Sequence, residues 1–306
     1  MTTASPSPAT ASTSPATASS SDALTASAPR PVARRRRPRI SGWHFVLAPL
    51  ALLFVIPFAQ MVLASLSPAG ELVKFPPPFI PSRLTLDGFV QLFATTDVLR
   101  WLLNSTVVSA IAIVGHVILC SLAGYGFARL RFKGRNMGFF LIVATIMIPT
   151  QLLMIPTYVL FSQIGIIDTL AAAFVPWLAS AFGIFLMRQF FLTLPTELEE
   201  AASLDGANRL QIFLRVVLPL ARPAIATLAI FTLLSSWNDL IWPLIAINDD
   251  SIFTVQLGIA NFQGARRTDW SLLMAGNVIA TLPLVLFFLF AQKQFVATMT
   301  MSGLKG

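Results

Sequence analysis

TLPTELEEAASLDGANRLQIFLRVVLPLARP, residues 193–223, is a polar island between two long apolar runs. It reads as two short helices. Pro195 suits a first helical turn, where its missing N–H is not needed. Glu197, Glu199 and Glu200 follow near the positive end of the helix dipole. Gly206 supplies the left-handed residue that stops a helix. In the second helix Leu210, Phe213, Leu214 and Val217 recur at i, i+3, i+4 and i+7, an apolar face, and Pro219 ends it. The first helix differs. Ala201 and Ala202 lie beside carboxylates, with only Leu198 and Leu204 as bulk. Such a helix suits the groove of another protein or the membrane surface, and its residues alone leave both open.

Outward from this island the chain is built for lipid. Of its 306 residues 56% are hydrophobic and 11% charged, with a mean hydropathy of +0.76. A soluble domain carries about a quarter charged residues. A hydrocarbon core about 30 Å thick needs about 20 apolar residues of helix. Six segments reach that length: 45–66, 102–127, 138–160, 169–191, 223–247 and 272–291. The first resembles a signal peptide's apolar region, but its length and the five later spans favour a retained span.

Residues 1–29 are almost wholly Ala, Ser, Thr and Pro, too poor in apolar surface to offset ordering entropy. Arg30, Arg34, Arg35, Arg36, Arg37 and Arg39 follow, directly before the first span, where basic residues orient a chain and meet lipid headgroups. With the N-terminus inside, the cytoplasmic pieces hold these six. They also hold Arg129, Arg131, Lys133 and Arg135, then Arg188, Arg209, Arg215 and Arg222, then Lys293 and Lys305. Only Lys74, Arg83, Arg100, Arg266 and Arg267 remain outside, five of the 21 Lys and Arg. Both termini are therefore expected in the cytoplasm. The net charge of +8 belongs to this pattern and not to nucleic acid. The expected architecture is an all-α integral membrane protein of six spans. Residues 1–40 form a tail, 41–292 the membrane domain with an inner loop at 193–222 and an outer loop at 248–271, and 293–306 a cytoplasmic C-terminal tail.

Several chemistries have no residues to carry them. ATP hydrolysis needs a Gly-Lys phosphate cradle, and no Gly-Lys dipeptide occurs. Two separated histidines and one cysteine, Cys120, make no metal cluster and no internal disulfide. Cys120 lies in an apolar block and reads as a small core residue. No nucleophile–base pairing stands out. A membrane enzyme or scaffold would need a catalytic cluster or a soluble domain. An ion-coupled carrier would need buried ionisable relays, and acidic residues inside spans are almost absent. Prolines are frequent there instead: Pro49, Pro57, Pro149, Pro156, Pro176, Pro243 and Pro283. About half suit ordinary tolerance of proline in membranes; together they favour a kinked, mobile bundle.

The inner loop resembles the "EAA" loop of ABC-importer permeases. Glu200-Ala201-Ala202 is followed after three residues by Gly206, and after nine more by Val216, one residue and Leu218-Pro219. That family usually has Ile where Val216 stands. Trp237-Asn238-Asp239-Leu240-Ile241-Trp242-Pro243-Leu244, Thr268-Asp269-Trp270 and the tail from Gln294-Phe295-Val296 to Gly303-Leu304-Lys305-Gly306 resemble its sugar-uptake branch, the maltose transporter's second permease. The resemblance covers residues 40–306.

It implies a bacterial cytoplasmic-membrane permease that imports a carbohydrate, or alternatively a glycerophosphodiester or other polar solute, with no cofactor of its own, ATP and Mg being held by a partner ATPase dimer. It also implies a second related permease and an external solute-binding protein, into which the outer loop 248–271 reaches. As residues coupling the permease to the ATPase it implies Glu199, Glu200, Ala201, Ala202, Asp205, Gly206, Leu218 and Pro219.

Candidate substrate-pathway residues are fewer. Charge inside a span is costly and so points to function, and Asp239 is the clearest case. With Trp237, Asn238 and Trp242 it offers indole faces and directional acceptors to a polyhydroxyl ligand. The same residues suit an interfacial aromatic belt with backbone caps at a proline break. His116, Gln151 and Asn277, with Tyr125 and Tyr158, could line a path or join helices by hydrogen bonds.

Overall fold

The computed structural model describes residues 43–76, 78–264 and 268–303. The expectations for residues 1–40, for Arg266 and Arg267 and for the end of the 293–306 tail lie outside the described residues. The helices run in the order α1 (Trp43–Ser65), α2 (Ala69–Leu72), α3 (Asp87–Thr95), α4 (Val98–Arg129), α5 (Arg135–Thr145), α6 (Thr150–Gln163), α7 (Leu170–Phe174), α8 (Ala181–Thr193), α9 (Glu197–Leu204), α10 (Arg209–Ile212), α11 (Leu218–Leu220), α12 (Arg222–Trp237), α13 (Ile241–Ala246), α14 (Val255–Ala260) and α15 (Trp270–Gly303). The chain divides into two units, residues 1–50 and 51–306, and the packed interior belongs to the larger.

Among the described residues four helical stretches are long and apolar enough to cross a membrane: Phe45–Ser65, Val98–Arg129, Leu170–Thr193 and Trp270–Leu289. Two bent pairs make six if each is one span. One is Arg135–Thr145 with Thr150–Gln163, bent by 102°; the other is Arg209–Leu220 with Arg222–Trp237, bent by 78°. The expected third span is therefore broken around Pro149, which stands just before α6 and cannot continue a helix through its own nitrogen. Pro156 and Pro283 sit inside unbroken helices, so not every proline marks a break.

The faces of α4 are inverted relative to a water-soluble helix. Most of its buried face is small or polar, with Asn104, Ser105, Ser109, Ala112, His116, Cys120 and Gly124 in register and Val98, Trp101, Val108 and Tyr125 as the bulky exceptions. Leu99, Leu103, Val114, Ile118 and Leu122 point outward. Small residues let helix backbones approach where lipid removes the hydrophobic drive to associate. The approach is close: a Cβ on Gly124 would stand 2.7 Å from Met187 Cβ, and one on Gly183 would stand 2.5 Å from His116 Nε2. α8 thus lies directly against α4.

The interior divides along α4. One apolar cluster gathers around Trp101, Val108, Trp237, Trp242, Val255 and Leu257. The other gathers around Tyr125, Met187, Phe191, Phe213, Val217 and Leu228. Between them lies a polar belt. Ser236 Oγ donates to Ser109 Oγ at 3.1 Å, and His116 bridges Ser180 Oγ (3.0 Å) and Thr232 Oγ1 (3.1 Å).

Candidate functional site

α9 is set by its ends. Pro195 precedes it by one residue and is not in its first turn, since Thr196 is the N-cap. Glu197, Glu199 and Glu200 occupy that turn, where carboxylates are favoured by the dipole. At the other end Gly206 has φ +82°. Its N–H donates to Ser203 O at 3.1 Å and the Ala207 N–H to Ala202 O at 3.0 Å, the paired closure of a Schellman motif. Asn208 then opens α10 through a capping box with Gln211.

The loop's two faces separate its residues. Glu197, Leu198, Glu200, Ala201, Ser203, Leu204, Asp205 and Gly206 are exposed, and Leu204 is 90% exposed. Ala202 is half-buried against the Tyr125–Phe213 cluster. Glu199 is buried and turned inward. Its Oε1 forms an ion pair with Arg129 Nε at 2.7 Å, and its Oε2 accepts from the Tyr125 hydroxyl at 3.0 Å. Arg129 also donates through Nη2 to Leu194 O, at 2.5 Å. Arg129 reads from sequence as a loop charge. It stands one turn beyond Tyr125 on α4, and that i, i+4 spacing was the available signal.

The expected apolar face of the second helix is half corrected. Phe213 and Val217 are buried, but Leu210 and Leu214 are 59% and 49% exposed. Residues Phe213–Val217 form a π-turn, and the wider turn relieves the clash that Pro219 would make with the carbonyl one turn back. Pro219 therefore does not end the helix. The break falls at Ala221, which is fully buried. Leu218 packs on the inner cluster and Pro219 is exposed.

The candidate pathway residues divide three ways. Trp237 and Trp242 are buried, their indole N–H groups donating to Ala280 O (3.1 Å) and Ala172 O (2.8 Å). Asp239 accepts from Trp177 Nε1 (3.2 Å) and, just before α13, from the Trp242 N–H (3.4 Å). Asn238 is exposed and reaches Leu234 O and Gln256. His116 sits in the polar belt. Gln151 is exposed and stands apart. Asn277 lines a cavity of about 770 Å³ with Gln60, Met61, Lys74, Trp270 and Met274. Trp177, Ser180 and Thr232, which complete these contacts, drew no notice in the sequence. Replacing Asp239 by alanine removes both acceptors, at a cost of about 1–2 kcal/mol for the two hydrogen bonds. The purified protein should melt several degrees lower, and Asp239→Asn, whose one oxygen can serve only one of the two donors, should recover only part of the difference.

The outer loop is largely packed. Val255, Leu257 and Ile259 are buried, with Gly258 pressed against the Trp101 ring. Asn104 Nδ2 donates to Ser251 O (3.1 Å) and Phe253 O (3.0 Å), and Ser105 Oγ accepts from the Val255 N–H at 2.8 Å. The carboxyl of Asp249, exposed beyond this core, is held below its ordinary range by hydrogen bonds from Ser251.

Known proteins agree with this architecture. Residues 116–301 match the family described as binding-protein-dependent transport system inner membrane component. The chain is 34% identical over 278 residues to the arabinooligosaccharides transport system permease protein AraQ of Halalkalibacterium halodurans, covering 89% of this chain and all of that one. It is 34% identical over 266 residues to the lactose transport system permease protein LacG of Rhizobium radiobacter, covering 87% and 96%. Its fold resembles a chain of a bacterial ABC transporter involved in import of the acidic polysaccharide alginate, with a TM-score of 0.71 at 22% identity over 84% of this chain and 99% of that one.

A chain whose described residues hold helices and no strand, with several apolar spans, in this company is a multi-pass permease of the cytoplasmic membrane. It belongs to the binding-protein-dependent transport system inner membrane component family, the permease subunits of ABC importers whose ATPase is a separate chain.

Proposed function

We propose that this chain is one half of a two-permease pathway that imports a carbohydrate, with six spans, both termini in the cytoplasm, and α9 as the helix an ATPase subunit engages. The carrying observation is the outward face of α9. Leu204 stands almost fully exposed beside Glu200, Ala201 and Asp205, an apolar knob among small and acidic residues, on a helix held at both ends. Exposed apolar side chains of this kind suit a partner's pocket. The excess of Lys and Arg on the same side of the spans supports an inner location.

Two of the relatives are named for arabinooligosaccharides and lactose, which supports a sugar as cargo. An external solute-binding protein delivers it, and ATP with Mg on the partner dimer drives closure. That closure shifts the spans between inward- and outward-facing populations. Trp237, Asn238, Asp239, Trp242 and His116 then shape the pathway by fixing its helices, and Asn277 faces the cavity near its outer end.

In the intact importer, Leu204→Cys should crosslink to the ATPase subunit through a short bismaleimide. Reaction only with lipid-phase or aqueous reagents, with no ATPase adduct, would overturn the docking role. The cargo is tested by screening ligands with the binding protein for stimulation of ATP hydrolysis. Stimulation by phosphate esters and by no sugar would overturn the carbohydrate assignment.

A further inference from the structure

We infer that the buried Arg129–Glu199 pair, closed by the Tyr125 hydroxyl, is the joint through which α9 moves α4. The inference rests on α9 being the helix that the ATPase subunit engages. α9 has one buried residue, and it is Glu199. Little apolar packing therefore fixes the start of this helix; the carboxylate does. Its two oxygens meet two groups from one turn of α4: Oε1 stands 2.7 Å from Arg129 Nε as a charge contact without hydrogen-bond alignment, and Oε2 accepts from the Tyr125 hydroxyl at 3.0 Å. The same arginine holds Leu194 O, where α8 ends. Three elements thus converge on one guanidinium.

A buried ion pair is a poor device for stability alone, because well-packed apolar residues serve as well or better. What it supplies is an attraction between two buried charges, pinned on the Glu199 side by the Tyr125 hydrogen bond, that holds while the helices pivot, whereas a small apolar contact slides. At its far end α9 runs through the Gly206 turn and α10 into α12. The attachments differ in kind: α8 and α12 are reached along the chain, whereas α4 is met side chain to side chain, by this pair and by Ala202 against the Tyr125 cluster. Arg129 and Tyr125 are accordingly positioning residues, acting on transport through α9.

The test uses the assembled importer with its ATPase, second permease and binding protein, and with Cys120→Ala in this chain. Spin labels at Leu122→Cys on the lipid face of α4 and Ser203→Cys on α9 report whether the two helices move together. With the pair intact, the distance between labels should be the same with and without ATP and vanadate. Arg129→Met should let that distance shift or broaden with nucleotide. Stimulation of ATP hydrolysis by the binding protein should then fall about tenfold, within the range of coupling between sites. Tyr125→Phe, which removes one hydrogen bond, should cost roughly fivefold. Exchanging the charges, Glu199→Arg with Arg129→Glu, should restore a single distance.

An Arg129→Met importer with one nucleotide-independent distance and full stimulation overturns the joint. So does loss of the ATPase subunit on purification from Arg129→Met, Arg129→Lys and the charge exchange alike, since the pair would then only maintain the fold. Absence of the ATPase from the unaltered preparation is a separate result. It removes the docking role of α9 itself.

Discussion

Replacing Gly183 by leucine is expected to stop the folded permease from accumulating in the membrane. A Cβ at that position would lie 2.5 Å from His116 Nε2 and 2.7 Å from Cys120 Sγ, and on the facing helix a Cβ on Gly124 would lie 2.9 Å from the Arg188 backbone nitrogen. Neither gap admits a methyl group, still less a branched side chain, so α4 and α8 must part. Overpacking costs about 1–3 kcal/mol in ordinary cores and sometimes more. In lipid no hydrophobic term between helices repairs the loss. Separation would also break the His116 bridge to Ser180, worth about 1 kcal/mol. Against a total stability of roughly 5–15 kcal/mol these losses are large. The measurement is the amount of monodisperse protein recovered after detergent extraction. Gly126→Leu is the control, since a Cβ there meets nothing within 4 Å. Equal recovery of Gly183→Leu and Gly126→Leu would contradict the packing described.

The second large effect is expected at Gly206. With φ at +82° and open space where a Cβ would stand, the obstacle to a side chain is the backbone conformation and not a neighbour. Valine there costs about 1–2 kcal/mol in the left-handed region, enough for roughly a tenfold shift of population. The alternative geometry would continue α9 past Leu204 and release the Ala207 bond to Ala202 O. Importers carrying Gly206→Val should assemble but lose most of their binding-protein-stimulated ATP hydrolysis. Gly206→Asn, which tolerates this conformation, should retain most of it. Equal losses for valine and asparagine would show that bulk at the surface, not the turn, is what matters there.

The limits of α9 were legible in the sequence because chemistry marks both ends, acidic residues at the start and a left-handed glycine at the stop. The faces of the loop were not. A fixed helical period puts Leu210 and Leu214 with Phe213 and Val217; the π-turn over Phe213–Val217 changes that period within the run, and Leu210, before it, is left largely exposed. Glu199 could be placed on the helix but not oriented, because its inward turn depends on Arg129 from a span 70 residues earlier in the chain. Arg129 itself fell past the expected span end at residue 127, where a cation looks solvated. In the 138–160 run Pro149 signalled a break, but a bend of 102° is decided by neighbouring helices. The packed outer loop was hidden for a similar reason. Val255, Leu257 and Ile259 look like a stray apolar patch until Trp101 is set against Gly258.

α4 is 32 residues without interruption, a rod of about 48 Å at 1.5 Å per residue. At one extremity Trp101, Asn104 and Ser105 grip residues 251–258; at the other Tyr125 and Arg129 grip Glu199. It is helical without a break from Val98 to Arg129 and holds no proline. On the inferred joint, a tug on Glu199 would be delivered as a tilt to the 251–258 shelf, and a load placed on that shelf would be felt at Glu199, with one lever serving both directions.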